Sequence, residues 1–251
     1  MDFDRKARRA RLRLLVIGAT VAALVVGGVV FALTYLTGGR KAVPTVANPT
    51  KSAPTNSPSP GKTFTPGTAR PWLVRKGQSM KDGVSVGFTR GAGGALSAAV
   101  RHQQELDILS DSFARKQLSV IVSRDSQDTV DRRVSEVRKM RERAGLPPSG
   151  DTPGGLSIIT QVKAARIRAL DDEEDVVEVW MSFDRYATTP DKPADNEPLR
   201  DETTYAIYKW QDGDWKLTEE PQYKNLVRGP VTYDINSPYA WQDQWRRVVV
   251  E

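Results

Sequence analysis

The chain of 251 residues carries a formal net charge of +6 and contains no cysteine and one histidine. These two counts exclude a disulfide scaffold, a thiol nucleophile, and metal sites built from cysteines or from several histidines. Residues 1–70 hold 11 basic and 2 acidic side chains, which leaves 26 basic and 29 acidic side chains in residues 71–251. Because this larger part is mildly acidic, direct nucleic-acid binding by a folded domain is not expected.

Residues 14–36 form an uncharged, apolar stretch of 23 residues. A helix of this length would cross the roughly 30 Å hydrocarbon core of a membrane, and the stretch lacks the small-residue cleavage site of a signal peptide. Six basic residues lie in the preceding tail, residues 1–13, and the positive-inside rule places such a tail in the cytoplasm. The sequence therefore predicts a single-pass cell-membrane protein whose C-terminal domain is extracytoplasmic.

Two further features accompany the predicted span. Ala19, Ala23 and Gly27 recur at every fourth position, a spacing that would let two spans pack closely in a homo-oligomer. Residues 37–71 contain seven prolines among Thr, Ser, Asn and Gly residues, and such a composition predicts an extended linker rather than a packed unit. The linker would hold a domain, residues 72–220, at a distance from the membrane.

Apolar residues at helical spacing predict three helices in the first half of this domain. The first covers residues 95–109, directly after Gly91, Gly93 and Gly94, the second covers residues 113–122, and the third covers residues 126–144. The third helix has valines on one face and six basic side chains on the other, namely Arg132, Arg133, Arg138, Lys139, Arg141 and Arg143. We predict that the basic face is solvated, with contact to anionic lipid or an acidic partner as the alternative.

From Leu156 onward the apolar pattern changes to a period of two, which is typical of strands. Four antiparallel strands are predicted, over residues 156–169, 175–186, 203–210 and 215–220. The acidic run 171–174 is predicted as the first hairpin turn, and Asp212 with Gly213 as the second. Because the helices and strands are segregated, the sequence predicts an α+β domain with helices packed on one face of a curved antiparallel sheet.

The hairpin from Tyr208 to Leu217, placed after a helical group, resembles the closing hairpin of the cystatin-like roll in the nuclear-transport-factor-two superfamily. A basic tail, one span, a proline-rich stalk and such a roll together resemble the bitopic assembly subunits of type IV secretion and conjugation machines. Residues 83–100 also resemble a glycine-, phenylalanine- and alanine-containing signature in membrane proteins of actinobacterial mobile elements.

This resemblance implies a scaffold or interaction subunit of a multi-protein envelope assembly, with the membrane and the other subunits of that complex as its partners. It brings no catalytic residues. Two alternatives stay open: an accessory subunit of a lipid-import system, and an exported roll that binds a small ligand or acts as an enzyme.

Few side chains of the domain have catalytic or ligand-binding character. His102 has no visible partner nucleophile, and the glycines at positions 91–94 lack the lysine and serine of a phosphate-binding loop, so packing roles are predicted for both. The acidic groups at positions 125–131 and 171–175 lack calcium-loop spacing. We therefore predict no enzyme, no cofactor and no metal site.

Three strand carboxylates decide between the alternatives. In an enzymatic roll, Glu178, Asp184 or Glu202 would lie in a cavity between the helices and the sheet. If aromatic side chains fill that space, the scaffold interpretation is favoured. Sequence periodicity leaves both arrangements open, because each carboxylate could equally face solvent.

Residues 221–251 form a C-terminal arm that combines aromatic, arginine and valine residues. Trp241, Trp245, Arg246 and Arg247 are the candidate interaction surface, because aromatic and arginine side chains are enriched where proteins bind one another. The alternative for these residues is packing of a final strand on the protein's own sheet.

Overall fold

The structure, a computed structural model, describes residues 64–251. The predicted cytoplasmic tail, the predicted span over residues 14–36 and the linker up to residue 63 lie outside the described residues. Within residues 64–251, none of the helices combines the length and the apolar character needed to cross a membrane.

The secondary structure begins with short strands, continues with helices and ends with long strands and the arm. The first strands are β1 (Trp72–Val74), β2 (Ser79–Lys81) and β3 (Val84–Val86). The helices are α1 (Ala92–Glu105), α2 (Asp111–Ile121), a 3-10 turn (Arg124–Ser126) and α3 (Asp128–Arg143). The long-strand region contains β4 (Ser157–Ala169), β5 (Val176–Thr188), β6 (Leu199–Gln211) and β7 (Asp214–Thr218). The arm contains α4 (Pro221–Lys224), α5 (Pro238–Gln242) and β8 (Arg246–Val250).

Six strands form one curled sheet in the order β1-β8-β4-β5-β6-β7, and β2 pairs with β3 in a separate hairpin. All neighbours in the large sheet are antiparallel except β1 and β8, which run parallel with Trp72 opposite Val248. The α+β class, with helices on a curved and mainly antiparallel sheet, is confirmed. The four strands predicted from the period-two pattern are β4 to β7.

Both predicted hairpin turns are confirmed. Asp212 and Gly213 have φ values of 55° and 77°, and two consecutive positive φ values are what a two-residue turn between twisted strands requires. In the acidic turn, the carboxylate of Asp171 accepts a hydrogen bond from the N–H of Val176 at 2.9 Å. The turn is thus closed by one of its own aspartate side chains.

The helices cover one face of the sheet. Alternate residues of β5, from Val177 to Phe183, are buried with the alanine-rich part of α1 in the main core. The valines of α3 at positions 130, 134 and 137 are buried, as predicted. Arg141, which the sequence placed on the basic face, is instead buried and donates to the carbonyl oxygens of Leu109, Pro147 and Asp151. This arginine closes the end of α3 against the loop that follows.

The opposite face of the sheet is covered by the arm. Trp180 of β5 and Ala164 of β4 pack there against Ala240 and Trp245. The central strand β5 is therefore buried on both faces, although its sequence alternates as if one face were solvated. In addition, the arm supplies β8, which lies between β1 and β4 in the sheet. Residues beyond position 220 are thus part of the sheet.

Candidate interaction surface

The space between helices and sheet is filled with large side chains. Phe183, Met181, Tyr208 and Trp215 are each at most 2% exposed in this core. Trp215 is fixed further by a 2.9 Å hydrogen bond from its indole N–H to the carbonyl of Thr89. A groove of about 590 Å³ lies instead on the surface, between β2, α2 and α3. The interior of the domain is therefore a packed core.

His102 belongs to this core. Its Nε2 lies 2.8 Å from the carbonyl oxygen of Ser85, and its Nδ1 lies 2.9 Å from the hydroxyl of Tyr208. Since a carbonyl oxygen only accepts, Nε2 carries the proton and Nδ1 accepts from the tyrosine. Burial lowers the pKa of His102 to about 4. The neutral ring thus bridges α1, the β2–β3 hairpin and β6, which is the packing role predicted for it.

This arrangement predicts a stability loss in mild acid. The histidine of the unfolded chain protonates near pH 6.5, whereas folded His102 resists protonation down to about pH 4. The unfolded state therefore gains protons first, and the free energy of unfolding should fall by up to about 3 kcal/mol between those pH values. Urea unfolding at several pH values measures the loss. In His102→Gln, which keeps a donor and an acceptor but does not titrate, this part of the pH dependence should disappear; an unchanged dependence contradicts the assignment.

The strand carboxylates Glu178 and Asp184 lie on the arm side of the sheet and not in the helix-side core. Glu178 is fully buried, 2.8 Å from the Nε of Arg168, and also accepts from the N–H of Arg228 at 3.2 Å. Asp184 accepts from Lys163 at 2.7 Å. Both carboxylates are thus used in ion pairs with basic residues of β4, and the hydrogen bond from Arg228 joins Glu178 to the arm. The structure does not place them in a cavity.

Glu202 lies opposite Phe183 in the β5–β6 register, near the open end of the helix-side face. Burial raises its pKa, while the nearby guanidinium of Arg185 opposes this shift. Arg185 is itself buried, donates to the hydroxyl of Thr160 at 3.1 Å and lies over the Phe183 ring. These side chains close the rim of the core.

The basic face of α3 is partly used within the chain. Arg132 and Arg133 bind the carboxylate of Glu219 at 2.6 and 2.7 Å, where the arm leaves β7. Arg138 binds Asp111 at 2.9 Å; the N–H of Gly150, followed by this guanidinium, lowers the pKa of Asp111 to about 2. The face thus fixes neighbouring segments. Across residues 64–251, no three carboxylate or histidine side chains converge as a metal site would require.

The glycines before α1 serve close packing. A Cβ atom on Gly94 would lie 1.7 Å from the carbonyl oxygen of Thr89, so only glycine fits at this position. Gly91 has a φ of 102°, and its carbonyl accepts the N–H groups of Gly94 and Ala95. The packing role predicted for these glycines is thus a close contact between the first turn of α1 and the backbone at Thr89.

Of the four candidate interaction residues, Trp245 is fully buried. Its indole N–H donates to the carbonyl of Val231 at 2.9 Å, and its ring lies 5.5 Å from that of Tyr233. It therefore anchors the arm on the sheet. A partner could reach only the other three, which stay partly exposed.

Arg246 lies against two indole rings. Its guanidinium carbon lies 5.1 Å from the ring centroid of Trp72 and 5.1 Å from that of Trp241. Phe64 stacks on Trp241 at 6.1 Å, and Arg247 contacts the carbonyl of Pro66 at 3.4 Å. Trp241, Arg246 and Arg247 therefore each contact a residue of the segment 64–72, which leads from the linker into the domain.

We call this region the β1 edge. It consists of the segments 64–77 and 244–251 together with Trp241. Leu73, Val249 and Val250 are between 39% and 49% exposed on it. Strand β1 was not predicted from the sequence, because its three residues show no periodicity. The only sign of an ordered segment was the large apolar residue Trp72 directly after the proline-rich stretch.

The chain was compared with known protein families, curated proteins and solved structures. No protein family, curated protein or solved structure matches the chain.

Proposed function

We propose that the protein is a membrane-anchored, extracytoplasmic scaffold subunit of a multi-protein envelope assembly, of the kind used in conjugative transfer or type IV-like secretion. We also propose that its domain is a cystatin-like roll whose other sheet face has been covered by the arm. The observation that carries the proposal is the packed interior: large side chains fill the helix-side core, and the arm covers the opposite face. What the described domain offers to other molecules is its outer surface.

The position of Phe64 supports this geometry. The linker joins the domain at the β1 edge, where Phe64 stacks on Trp241 and the N–H of Gly67 donates to the carbonyl of Ile235 at 2.8 Å. The entry point is thus fixed on the arm. In the proposal, the span holds one end, the linker sets the distance from the membrane, and the domain presents a surface of defined orientation.

The membrane anchor is tested by topology. The full-length product should sediment with membranes and resist alkaline carbonate extraction, because an apolar helix of 23 residues is not released by salt or high pH. Protease added to intact spheroplasts should digest residues 64–251 from outside. A variant with Leu24→Arg and Val25→Arg interrupts the stretch and serves as the control that should be extracted. Full-length protein in the cytosol, or protection of the domain in spheroplasts, overturns the proposal.

The assembly role is tested by crosslinking the intact protein in membranes. Recovery of a transfer ATPase or of channel subunits supports the scaffold function. Recovery of lipid-importer components instead would show that the protein belongs to the alternative system.

A further inference from the structure

The β1 edge has an open side for backbone pairing. Strand β1 is the outermost strand of the sheet, and the carbonyl of Val74 accepts the N–H of Glu251 at 3.1 Å, toward β8. In a parallel pair, alternate residues of a strand bond to the neighbour. The N–H and the carbonyl of Leu73 therefore face away from β8, and the residue is 45% exposed. At Arg75, whose backbone faces the same side, the N–H donates to Ser97 at 3.1 Å and the carbonyl accepts from Arg101 at 3.4 Å, both in α1. The open backbone groups of this edge are thus those of Leu73. Such an edge is a template for a further strand.

The same edge is positively charged, although residues 71–251 as a whole are mildly acidic. Segments 64–77 and 244–251 contain one acidic side chain, Glu251, and five basic ones: Arg70, Arg75, Lys76, Arg246 and Arg247. Within residues 64–251, none of these five forms an ion pair. In contrast, three of the six basic residues of α3 bind carboxylates of neighbouring segments. The edge thus holds cations that the domain itself leaves without counter-ions.

Arg246 is preorganised for a carboxylate. The rings of Trp72 and Trp241 both contact the guanidinium, and in the described part of the chain no acceptor takes a hydrogen bond from it. A guanidinium held by aromatic rings keeps its planar edge of N–H groups available, and that edge matches the two oxygens of a carboxylate.

We propose that the β1 edge binds an extended, acidic segment of a partner protein, which adds as a strand beside β1 and places a carboxylate on Arg246. This inference rests on the proposed scaffold function and names the chemistry of the partner. The open backbone groups of Leu73 pair with the peptide backbone. The unpaired basic side chains of segments 64–77 and 244–251 bind its acidic side chains.

Other occupants fit the observations less well. A second copy would bring an equally basic edge, and the two edges would repel each other. The preceding part of the chain, residues 38–70, has five basic and no acidic residues. A lipid surface offers anionic groups but no backbone to pair with Leu73.

The binding test uses the full-length protein in a nonionic detergent and a fluorescein-labelled heptapeptide that alternates glutamate with valine. Fluorescence anisotropy measures the dissociation constant. We expect binding that weakens at high salt. Arg246→Gln should weaken it about tenfold or more, because it removes the charged, bidentate partner of the carboxylate. Leu73→Pro should have a similar effect, because proline lacks the N–H that faces the open edge.

Matched controls separate charge from strand addition. Lys139→Gln removes one exposed, unpaired cation from α3 and should change the dissociation constant less than about twofold. The same peptide with alternate amides N-methylated keeps its charge but cannot pair as a strand on the methylated side, so it should not bind. Equal binding of this peptide, or unchanged binding by Leu73→Pro at an unchanged unfolding temperature, overturns the proposal. So does Arg246-dependent binding to anionic vesicles without binding to the peptide.

This experiment is independent of the topology test. If the heptapeptide fails to bind while the protein is membrane-anchored and exported, the edge proposal is wrong and the scaffold function stands. If the protein is found in the cytosol, the scaffold function is wrong whatever the peptide does.

Discussion

Replacing Gly94 with alanine should destabilise the domain by about 3–5 kcal/mol. The new methyl group would lie 1.7 Å from the carbonyl oxygen of Thr89, and a backbone atom cannot move aside as a flexible side chain can. Helix α1 would have to shift at its first turn, where it packs on the sheet. Chemical unfolding of the full chain in detergent, followed by tryptophan fluorescence, measures the loss.

Gly93→Ala is the matched control one residue away. A Cβ atom on Gly93 meets no atom within 4 Å, and alanine favours a helix over glycine by up to about 1 kcal/mol. This variant should therefore be as stable as the parent or slightly more stable. Equal stability of the two variants would mean that α1 does not begin against Thr89 as described.

Trp245→Ala should cost about 3–5 kcal/mol, the range for removing a large buried aromatic side chain. The substitution empties the centre of the cluster between arm and sheet and removes the hydrogen bond to the carbonyl of Val231. Because this cluster covers the outer face of β5, we also expect the arm to become sensitive to protease. Unfolding curves and limited proteolysis with mass spectrometry measure the two effects.

Tyr239→Ala, in the same arm, is the control for Trp245. Tyr239 is 70% exposed, so its removal should change stability by less than about 0.5 kcal/mol. An arm that stays as protease-resistant in Trp245→Ala as in Tyr239→Ala would show that other contacts, such as the hydrogen bond from the N–H of Arg228 to Glu178, hold it.

The elements that were predicted are those whose signals are local. The valine spacing of α3, the alternation of β4 and β5, and the turn at Asp212 and Gly213 each depend on residues within one or two turns of the chain. Strand β6 begins at Leu199 rather than Thr203, and α1 ends at Glu105 rather than Leu109. These boundaries are set by pairing and packing with distant residues.

Most of the features that were missed depend on partners far along the sequence. The exception is the β2–β3 hairpin, whose turn at Asp82 and Gly83 is a local signal that was not recognised. Strand β1 exists because β8 lies beside it, and three residues carry no pattern that would reveal this. The alternation of β5 indicated one solvated face, but the arm covers that face, where the buried Glu178 pairs with Arg168 of β4. In the candidate surface, composition identified Trp241 and Arg246, whereas Trp72, the second ring beside this arginine, is distant in sequence.

The parallel pairing of β1 with β8 also constrains biosynthesis. Trp72 pairs with Val248, 176 positions later, so the first strand has no neighbour in the sheet until residues 246–250 have been synthesised. A chain that crosses a membrane in an extended form would thus reach the far side with its sheet still incomplete. Pairing of β1 with β8 would then be a late and slow step of folding, as expected for contacts of large sequence separation. Removal of residues 246–251 would leave β1, the strand that follows the linker, without its neighbour in the sheet.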